Sequence, residues 1–274
     1  MSTAPLRILV LVAHPDDAEF HCGGLMTVYR ELGHEVKIVT VTNGESGHHE
    51  TTGPALTARR RAEAAAAAKV IGAISEVWDF PDGRLQPTLE VRERVIREIR
   101  TFKPDLVLTH RNNDYHPDHR AVGDVVRDAS YMVTVPALVP DAPALRKDPV
   151  VVFLPDRFTK PYPLQADVVV DVTKQFDRIV EMLACHKSQM FEWLPYNQNE
   201  LQEVPLGEAG RRHWLRDKYV ARMRPQLERY RQEVLSTYGP ELAKKIDWVE
   251  VYEVSEYAAP LTSESRARLF PFVP

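Results

Sequence analysis

The sequence predicts an α/β protein with a Rossmann-like, doubly wound, mostly parallel sheet. Short apolar segments alternate with longer amphipathic or alanine-rich segments up to about residue 190, which is typical of βαβ units. The first apolar segment, residues 6–12, is almost continuous, as expected for a strand buried on both faces. Beyond residue 195 the alternation stops. We therefore expect a core at residues 1–194 and a C-terminal extension at residues 195–274 packed on the same domain.

Glycines and apolar patterns predict the strands and helices up to residue 109. Gly33 and Gly72 each follow a helical pattern, where glycine readily ends a helix in a left-handed conformation. The polar segment 43–54 is predicted to be a loop after the second strand. In chain order, the pattern predicts strands at 6–12, 35–41, 75–80 and 106–109, and helices at 25–32, 56–71 and 90–102.

The second part continues this pattern and then becomes irregular. Pro195, Pro205 and Gly207 indicate an irregular segment over 194–212. The remaining predictions are helices at 121–132, 175–190 and 215–238, strands at 150–154 and 168–172, a strand at 248–254 on a sheet edge, and an extended tail at 260–274.

Charge and composition exclude several classes of protein. With 35 basic and 39 acidic residues, the net charge of −4 gives no reason to expect nucleic acid as a partner. No apolar segment approaches the roughly 20 residues of a membrane span. The apolar segment before His14 is too short for a signal peptide, so we expect a cytoplasmic protein. The two cysteines, Cys22 and Cys185, do not form a disulfide framework.

Two related segments carry the candidate chemistry: HPDD at residues 14–17 and HPDH at residues 116–119. Each comes shortly after a predicted buried strand, the first and the fourth. In the common strand order 3-2-1-4-5 these two strands are neighbours, and ligands bind beyond their carboxyl ends. The two segments are therefore expected to form one metal site.

The residues themselves suggest how the site is divided. Zinc binds imidazole nitrogen and carboxylate oxygen, and a catalytic zinc keeps one position open beside three protein ligands. The proline in each segment fixes the φ angle of a first helical turn, which brings the first and fourth residues together. We expect His14, Asp17 and His119 as ligands, with Asp16 directed elsewhere and His116 beside the open face. Iron(II) and cobalt are alternative metals for such ligands.

The sequence AHPDDAE at residues 13–19, together with DYHPDH at 114–119, resembles the LmbE/PIG-L family of zinc-dependent N-acetylglucosaminyl deacetylases. Shorter motifs extend the resemblance over about residues 6–190: TNGE at 42–45, Arg60 with Glu63, PDG at 81–83 and HKSQ at 186–189. The resemblance implies these roles: zinc ligands His14, Asp17 and His119, general base Asp16, acid or oxyanion-stabilising His116, and Asp118 orienting a ligand imidazole.

Candidate substrate-binding residues are Arg60, Asp114 and Tyr115. Arg60 is expected to anchor a substrate hydroxyl or phosphate, although a solvated helix face is an equal alternative because Arg59 and Arg61 flank it. Some family members have a tyrosine two residues before the free histidine. This chain has Asp114 at that position and Tyr115 one place later.

These observations predict a hydrolase that removes the N-acetyl group from an N-acetylglucosamine-type amino sugar or its conjugate and releases acetate. Its partner is this small molecule, and we expect a homo-oligomer. The alternative is a noncatalytic metal- or sugar-binding protein. It is disfavoured because a structural zinc site is normally closed by four ligands and would not need Asp16 and His116. A dinucleotide-binding protein is disfavoured because no G-x-G-x-x-G segment follows the first strand.

Overall fold

The computed structural model describes residues 4–274, which form an α/β fold around one mixed sheet. The order of its strands is β3-β2-β1-β4-β5-β7-β6. The first five strands run parallel, and β7 is antiparallel to both β5 and β6. The predicted doubly wound, mostly parallel sheet is confirmed. The strands are β1 Arg7–Val12, β2 Glu35–Thr42, β3 Ile74–Phe80, β4 Leu106–Thr109, β5 Val150–Phe153, β6 Val168–Asp171 and β7 Val249–Val254.

Helices cover both faces of this sheet. They are α1 Asp17–Glu31, α2 Gly53–Ile71, α3 Leu89–Phe102, α4 Pro117–Met132, α5 Phe176–Cys185, α6 Leu194–Asn197, α7 Glu208–Arg229, α8 Arg231–Ala243 and α9 Ser263–Leu269. Short 3-10 turns occur at Thr173–Gln175 and Leu201–Glu203, and a π-helical turn at Gln189–Trp193. Within the described part of the chain, no helix combines the length and apolar character needed to cross a membrane. The expectation that no signal peptide is present concerns the chain before His14, of which residues 1–3 lie outside the described residues.

Strand β1 shows why the sheet is buried on both sides. Ile8 and Val10 point into one apolar layer, whereas Leu9 and Leu11 point into the layer on the other face. Side chains alternate across a strand, so a continuous apolar segment supplies both layers.

Several helices begin earlier than the sequence indicated, among them α7, which starts at Glu208 within the segment predicted to be irregular. Helix α1 starts at Asp17 rather than residue 25, and Cys22, with φ −145° and ψ 22°, divides it in two. Helix α4 starts at Pro117 rather than residue 121. Gly24 lies just after the break in α1 at Cys22, and a Cβ there would lie 2.5 Å from Val172 Cγ1. The glycine therefore allows α1 to approach the end of β6.

The structure also differs from the predictions in the C-terminal half. The helix predicted at 175–190 ends at Cys185, because His186 leaves the helical conformation with ψ 62°. The predicted helix at 215–238 is two helices, α7 and α8, divided at Tyr230. The predicted tail contains α9 and buries Phe270 in the core.

Strand β7 is the largest difference in topology. We expected it at a sheet edge, but it lies between β5 and β6. Val249 and Val251 are buried in an apolar cluster with Val169 of β6 and Val234 of α8. Residues of the C-terminal extension thus contribute directly to the central sheet.

Candidate metal centre

The two histidine-containing segments meet at the carboxyl ends of β1 and β4. Leu11 and Thr109 are paired in register, so both strands end at the same edge of the sheet. After β1 the chain turns sharply at Asp16, whose φ of 122° lies in a region that non-glycine residues rarely adopt. Strain of this kind concentrates at functional sites.

The three expected ligands face one another. His14 Nδ1 lies 3.2 Å from His119 Nε2 and 3.4 Å from Asp17 Oδ2. Asp17 Oδ1 is 3.4 Å from His119 Nε2. A tetrahedral ion with bonds of about 2.0 Å holds its ligands about 3.3 Å apart. The donor atoms present, and their separations, therefore fit a zinc ion bound by His14, Asp17 and His119.

Carboxylates lie behind both imidazoles. His14 Nε2, the nitrogen that faces away from His119, is 3.1 Å from Asp118 Oδ2 and 3.2 Å from Asp82 Oδ1. His119 Nδ1 is 3.1 Å from Asp114 Oδ1. Such outer carboxylates fix the tautomer of a ligand histidine and make it a better donor. Asp118 is thus placed to orient His14.

The electrostatics of the cluster favour positive charge between the ligands. Burial disfavours a charged His14, but hydrogen bonds to Asp118, Asp17 and Asp82 outweigh it and hold the pKa of His14 well above its usual value. The pKa of His119 is raised to about 9, because Asp17 and Asp114 outweigh its burial. The carboxylates that stabilise a proton here would equally stabilise a bound cation.

Asp16 differs from Asp17 in its environment. Burial raises the pKa of Asp16 to about 6, against the opposing charge of Arg60. Burial acts on Asp17 too, but His119 and His110 hold the pKa of Asp17 well below its usual value. One carboxylate is therefore suited to coordinate a metal, and the other to exchange a proton near neutral pH.

His116 is the N-cap of α4. Its Nδ1 accepts the backbone N–H of Asp118 at 3.2 Å, and its ring centroid lies 4.4 Å from that of His14 in an edge-on arrangement. Burial, followed by the charges of His14 and His119, lowers the pKa of His116. A neutral imidazole that accepts through Nδ1 carries its proton on Nε2.

Arg60 is buried, not solvated as one alternative held. Its guanidinium donates to Pro15 O at 2.6 Å and lies 3.4 Å from Asp16 Oδ2 and Gly44 O. Arg60 thus holds the strained segment after β1 against the loop after β2. It also lines the groove at the site, and direct binding of substrate by Arg60 stays a prediction.

Asp114 and Tyr115 occupy different positions. Asp114 is directed at His119 and also accepts the backbone N–H of His116 at 2.9 Å, so its contacts are with the ligand cluster. Tyr115 is 68% exposed and lies at the rim, with its ring edge-on to His116. Both line the groove, and their role in substrate binding stays a prediction.

His110 was not singled out from the sequence. It directly follows β4, stacks on His119 with ring centroids 4.0 Å apart, and lies 3.2 Å from Asp17 Oδ2. Its Nε2 accepts the backbone N–H of Ala13 at 3.1 Å. Burial lowers the pKa of His110 to about 4, consistent with a neutral acceptor. Gly123 makes this packing feasible, because a Cβ there would lie 2.6 Å from His110 O.

Asp82 was noted only as part of a short motif, with no role. It comes from the turn after β3, where its Oδ2 accepts the N–H of Ser46 at 3.1 Å while Oδ1 faces His14. Three strand ends, those of β1, β3 and β4, therefore contribute to the centre. The sequence signal for Asp82 was its place in the PDG motif, in the turn that follows β3.

The centre opens into a groove of about 980 Å³. Its walls come from the metal centre, the loop after β5, Trp193 of the π-helical turn, and helix α7 of the extension. A cavity of this size accommodates a small organic molecule.

Comparison with known proteins identifies a related family. Residues 9–130 match the PIG-L family, described as GlcNAc-PI de-N-acetylase. The matched segment covers somewhat less than half of the chain, and it contains both histidine-containing segments. The resemblance to LmbE/PIG-L proteins drawn from the sequence is confirmed.

Proteins that are similar to this chain differ in activity. The chain is 32% identical over 123 residues to diacetylchitobiose deacetylase of Thermococcus kodakarensis, covering 43% of this chain and 46% of that protein. It is 26% identical over 210 residues to 4-oxalmesaconate hydratase of Pseudomonas putida, covering 74% and 81%. The chain thus spans about half the length of the deacetylase but most of the hydratase.

Solved structures share the fold. N,N'-diacetylchitobiose deacetylase from Pyrococcus horikoshii superposes with a TM-score of 0.67 at 20% identity, over 92% of this chain and 84% of that one. The 4-carboxy-2-hydroxymuconate hydratase from Pseudomonas putida gives 0.71 at 20% identity, over 94% and 98%. At these identities the likeness concerns the fold alone.

Proposed function

We propose that this chain is a zinc-dependent hydrolase that removes the N-acetyl group from an N-acetylglucosamine-type amino sugar or its conjugate, releasing acetate. The observation that supports this most is the separation of 3.2 to 3.4 Å among donor atoms of His14, Asp17 and His119. Asp16 and His116 line the groove beside these three residues. A cytoplasmic location and a homo-oligomeric state, both predicted from the sequence, belong to this proposal.

A zinc ion held by the three ligands would supply Lewis acidity, which activates water and polarises an amide carbonyl. The other groups needed for amide hydrolysis come from the chain itself. Asp16, with a pKa of about 6, is ionised at neutral pH and accepts the proton of the attacking water. The guanidinium of Arg60 donates to Pro15 O and also lies 3.4 Å from Asp16 Oδ2, so it helps to fix the position of this carboxylate.

We assign to His116 the stabilisation of the negative charge that develops on the acetyl oxygen. Its Nδ1 is used by the N–H of Asp118, which leaves the proton on Nε2 available as a donor. A fixed donor aimed at an oxyanion stabilises the transition state, typically by about 3 kcal/mol. Collapse of the tetrahedral species breaks the C–N bond, and the proton on Asp16 passes to the leaving amine.

A second candidate is the addition of water to a carbon–carbon double bond of an unsaturated carboxylic acid. It is favoured by the extent of the match to 4-oxalmesaconate hydratase, which covers 81% of that relative. Hydration also needs a base that activates water, so Asp16 alone does not distinguish the two reactions.

The test is one panel of assays on zinc-loaded protein of measured metal content. Release of acetate from N-acetylglucosamine and its conjugates would support the hydrolase. Loss of the double-bond absorbance of unsaturated dicarboxylic acids, without acetate release from the sugars, would replace it with the hydratase. Zinc bound at one equivalent with neither reaction would favour the noncatalytic binding protein. Iron(II)- and cobalt-loaded samples run in parallel identify the metal that supports turnover.

A further inference from the structure

His21 lines the groove one helical turn after the expected ligand Asp17, on α1. Its ring stands edge-on to that of His110, with ring centroids 6.1 Å apart, and His110 in turn stacks on His119 at 4.0 Å. His21 therefore lies one imidazole ring away from the ligand cluster. It has no part in the hydrolysis described above, although it faces the same cavity.

The hydrogen bond of His21 determines which ring nitrogen carries the proton. Nδ1 lies 2.8 Å from the carbonyl oxygen of Pro155, in the loop after β5. Since a carbonyl oxygen only accepts, Nδ1 donates, and a neutral ring then has its lone pair on Nε2. Burial, followed by the charge of Arg222, lowers the pKa of His21 to about 3. The ring is therefore neutral at physiological pH, and its Nε2 is a hydrogen-bond acceptor.

Nε2 of His21 is open to the groove. Among residues 4–274 this nitrogen has no hydrogen-bond partner, and it is not enclosed by protein, in contrast to the two unpaired ring nitrogens of His186. The side chain as a whole is partly buried. A partly buried acceptor without a partner in the chain is suited to a donor on a bound molecule, because the bond then replaces one that water makes poorly there.

The carbonyl oxygen that orients His21 is itself held in place. Arg111 is buried and forms two hydrogen bonds with Asp156, the residue after Pro155: Nε to Oδ2 at 2.7 Å and Nη2 to Oδ1 at 3.0 Å. The same guanidinium donates to the carbonyl oxygen of Phe158 at 3.1 Å. Bidentate pairs of this kind fix geometry as well as adding energy. The ring of His21 is therefore held in one orientation by α1 and by the loop after β5 together.

We propose that His21 is a specificity-determining residue, whose Nε2 accepts a hydrogen bond from a ring hydroxyl of the amino sugar. This inference rests on the proposed function, since it names the contact by which the same site selects its substrate. With the acetamido group at the ligands, the sugar ring extends along the groove, and its hydroxyls are the donors that a neutral acceptor binds. A site built around such a bond discriminates against an analogue that lacks the hydroxyl, because the acceptor is then left unpaired.

The test uses N-acetylglucosamine and its 3-deoxy, 4-deoxy and 6-deoxy analogues as substrates of the zinc-loaded protein. For one analogue we expect kcat/KM to be about tenfold or more below that of the parent sugar. In His21→Asn the side-chain amide still donates to Pro155 O, but no acceptor remains at the position of Nε2. The difference between the two sugars should therefore fall to about twofold or less in this variant, through loss of activity on the parent sugar alone.

The matched control is His21→Gln, whose Oε1 reaches the position of Nε2 while the bond to Pro155 O is lost. This variant should keep most of the discrimination. If the wild type treats all four sugars alike, or if His21→Asn discriminates as strongly as the wild type, the inference is overturned. The second result, with discrimination lost in His21→Gln, would mean that the residue acts by holding the loop. Zinc content and urea denaturation verify that the variants compared are loaded and folded.

Binding without turnover separates this inference from the proposed function. NMR titration gives the dissociation constants of the four sugars for zinc-loaded Asp16→Ala and for zinc-loaded Asp16→Ala/His21→Asn. Suppose that the wild type releases no acetate, but one deoxy analogue binds about tenfold more weakly than the parent sugar only when His21 is present. The role of His21 then stands and the deacetylase assignment fails. Acetate release by the wild type, with equal binding of all four sugars, would keep the assignment and overturn the role of His21.

Discussion

The carboxylate of Asp118 lies 3.1 Å from Nε2 of His14 and accepts the backbone N–H of Gly83 at 2.7 Å. Its second oxygen accepts the N–H of Leu85 at 3.1 Å. One fully buried side chain at the start of α4 therefore connects the segment after β1 with the turn after β3. Nδ1 of His14 is left facing Asp17 and His119.

Replacing Asp118 with Asn should weaken zinc binding about 10- to 100-fold, because the amide cannot supply the negative charge that makes His14 a better donor. The measurement is competition for zinc with a chelator of known affinity. Asp128→Asn, an exposed change near the end of the same helix, is the control and should leave the affinity unchanged. Equal affinity in both variants would mean that Asp118 has only a packing role.

Substitutions of Asp16 and His119 should have different effects on catalysis and on metal binding. Asp16→Ala removes the expected base without removing a ligand, so zinc stays bound while deacetylation falls by about two to four orders of magnitude. His119→Ala removes a donor, so the metal itself is lost. Metal content and acetate release measured on the same samples check both. Normal turnover in the Asp16 variant would refute its assignment as the base.

The sequence was informative where a local pattern determines the structure. The apolar strands β1 and β4 and the two segments that follow them were predictable, since strand periodicity and the chemistry of histidine and aspartate are both local. Because β1 and β4 were assumed to be neighbours in the sheet, His14, Asp17 and His119 were predicted to lie together. By contrast, Gly23 and Gly24 suggested that the helix starts only after them. Both lie inside α1, where Gly23 permits close packing against α5 and Gly24 against the end of β6.

Other features depend on contacts between distant residues. Strand β7 pairs Val251 with Val169, more than eighty residues earlier, and no local pattern shows that it separates β5 from β6. His110 is a single histidine outside any repeated motif, and its position beside His119 follows from the close approach of α4 at Gly123. The burial of Arg60 is likewise a tertiary effect, because its neighbours Arg59 and Arg61 suggest a solvated face.

His110 should contribute to the stability of the site through its bond from Ala13. In His110→Phe the stacking on His119 is retained, but the buried N–H of Ala13 loses its acceptor, which costs about 1–3 kcal/mol. Urea denaturation of both proteins measures this loss. The matched control is His34→Phe, which removes an equivalent bond from Leu6 N at a partly exposed site. Water can replace that acceptor, so its loss should be smaller; equal losses would contradict the argument.

Glu250 should make stability depend on pH. Burial raises the pKa of its carboxyl from 4.5 to about 7, although Tyr252 Oη and the N–H groups of Gly24 and Leu25 bind the charged form. The folded protein therefore holds this proton more tightly than the unfolded chain does. The stabilisation is fully present below about pH 4.5 and is lost as the pH rises through about 7. A shift of this size corresponds to roughly 3 kcal/mol.

Glu250→Gln removes the titration while keeping one acceptor for the N–H groups at the restart of α1. Between pH 4.5 and pH 8, the free energy of unfolding of the wild type should therefore fall by roughly 3 kcal/mol relative to that of the variant. Urea denaturation at a series of pH values measures this difference. Glu256→Gln, an exposed change just after β7, should run parallel to the wild type. If the Glu250 variant also runs parallel, the carboxyl does not gain a proton in this window, and its charge is stabilised by the helix N–H groups instead.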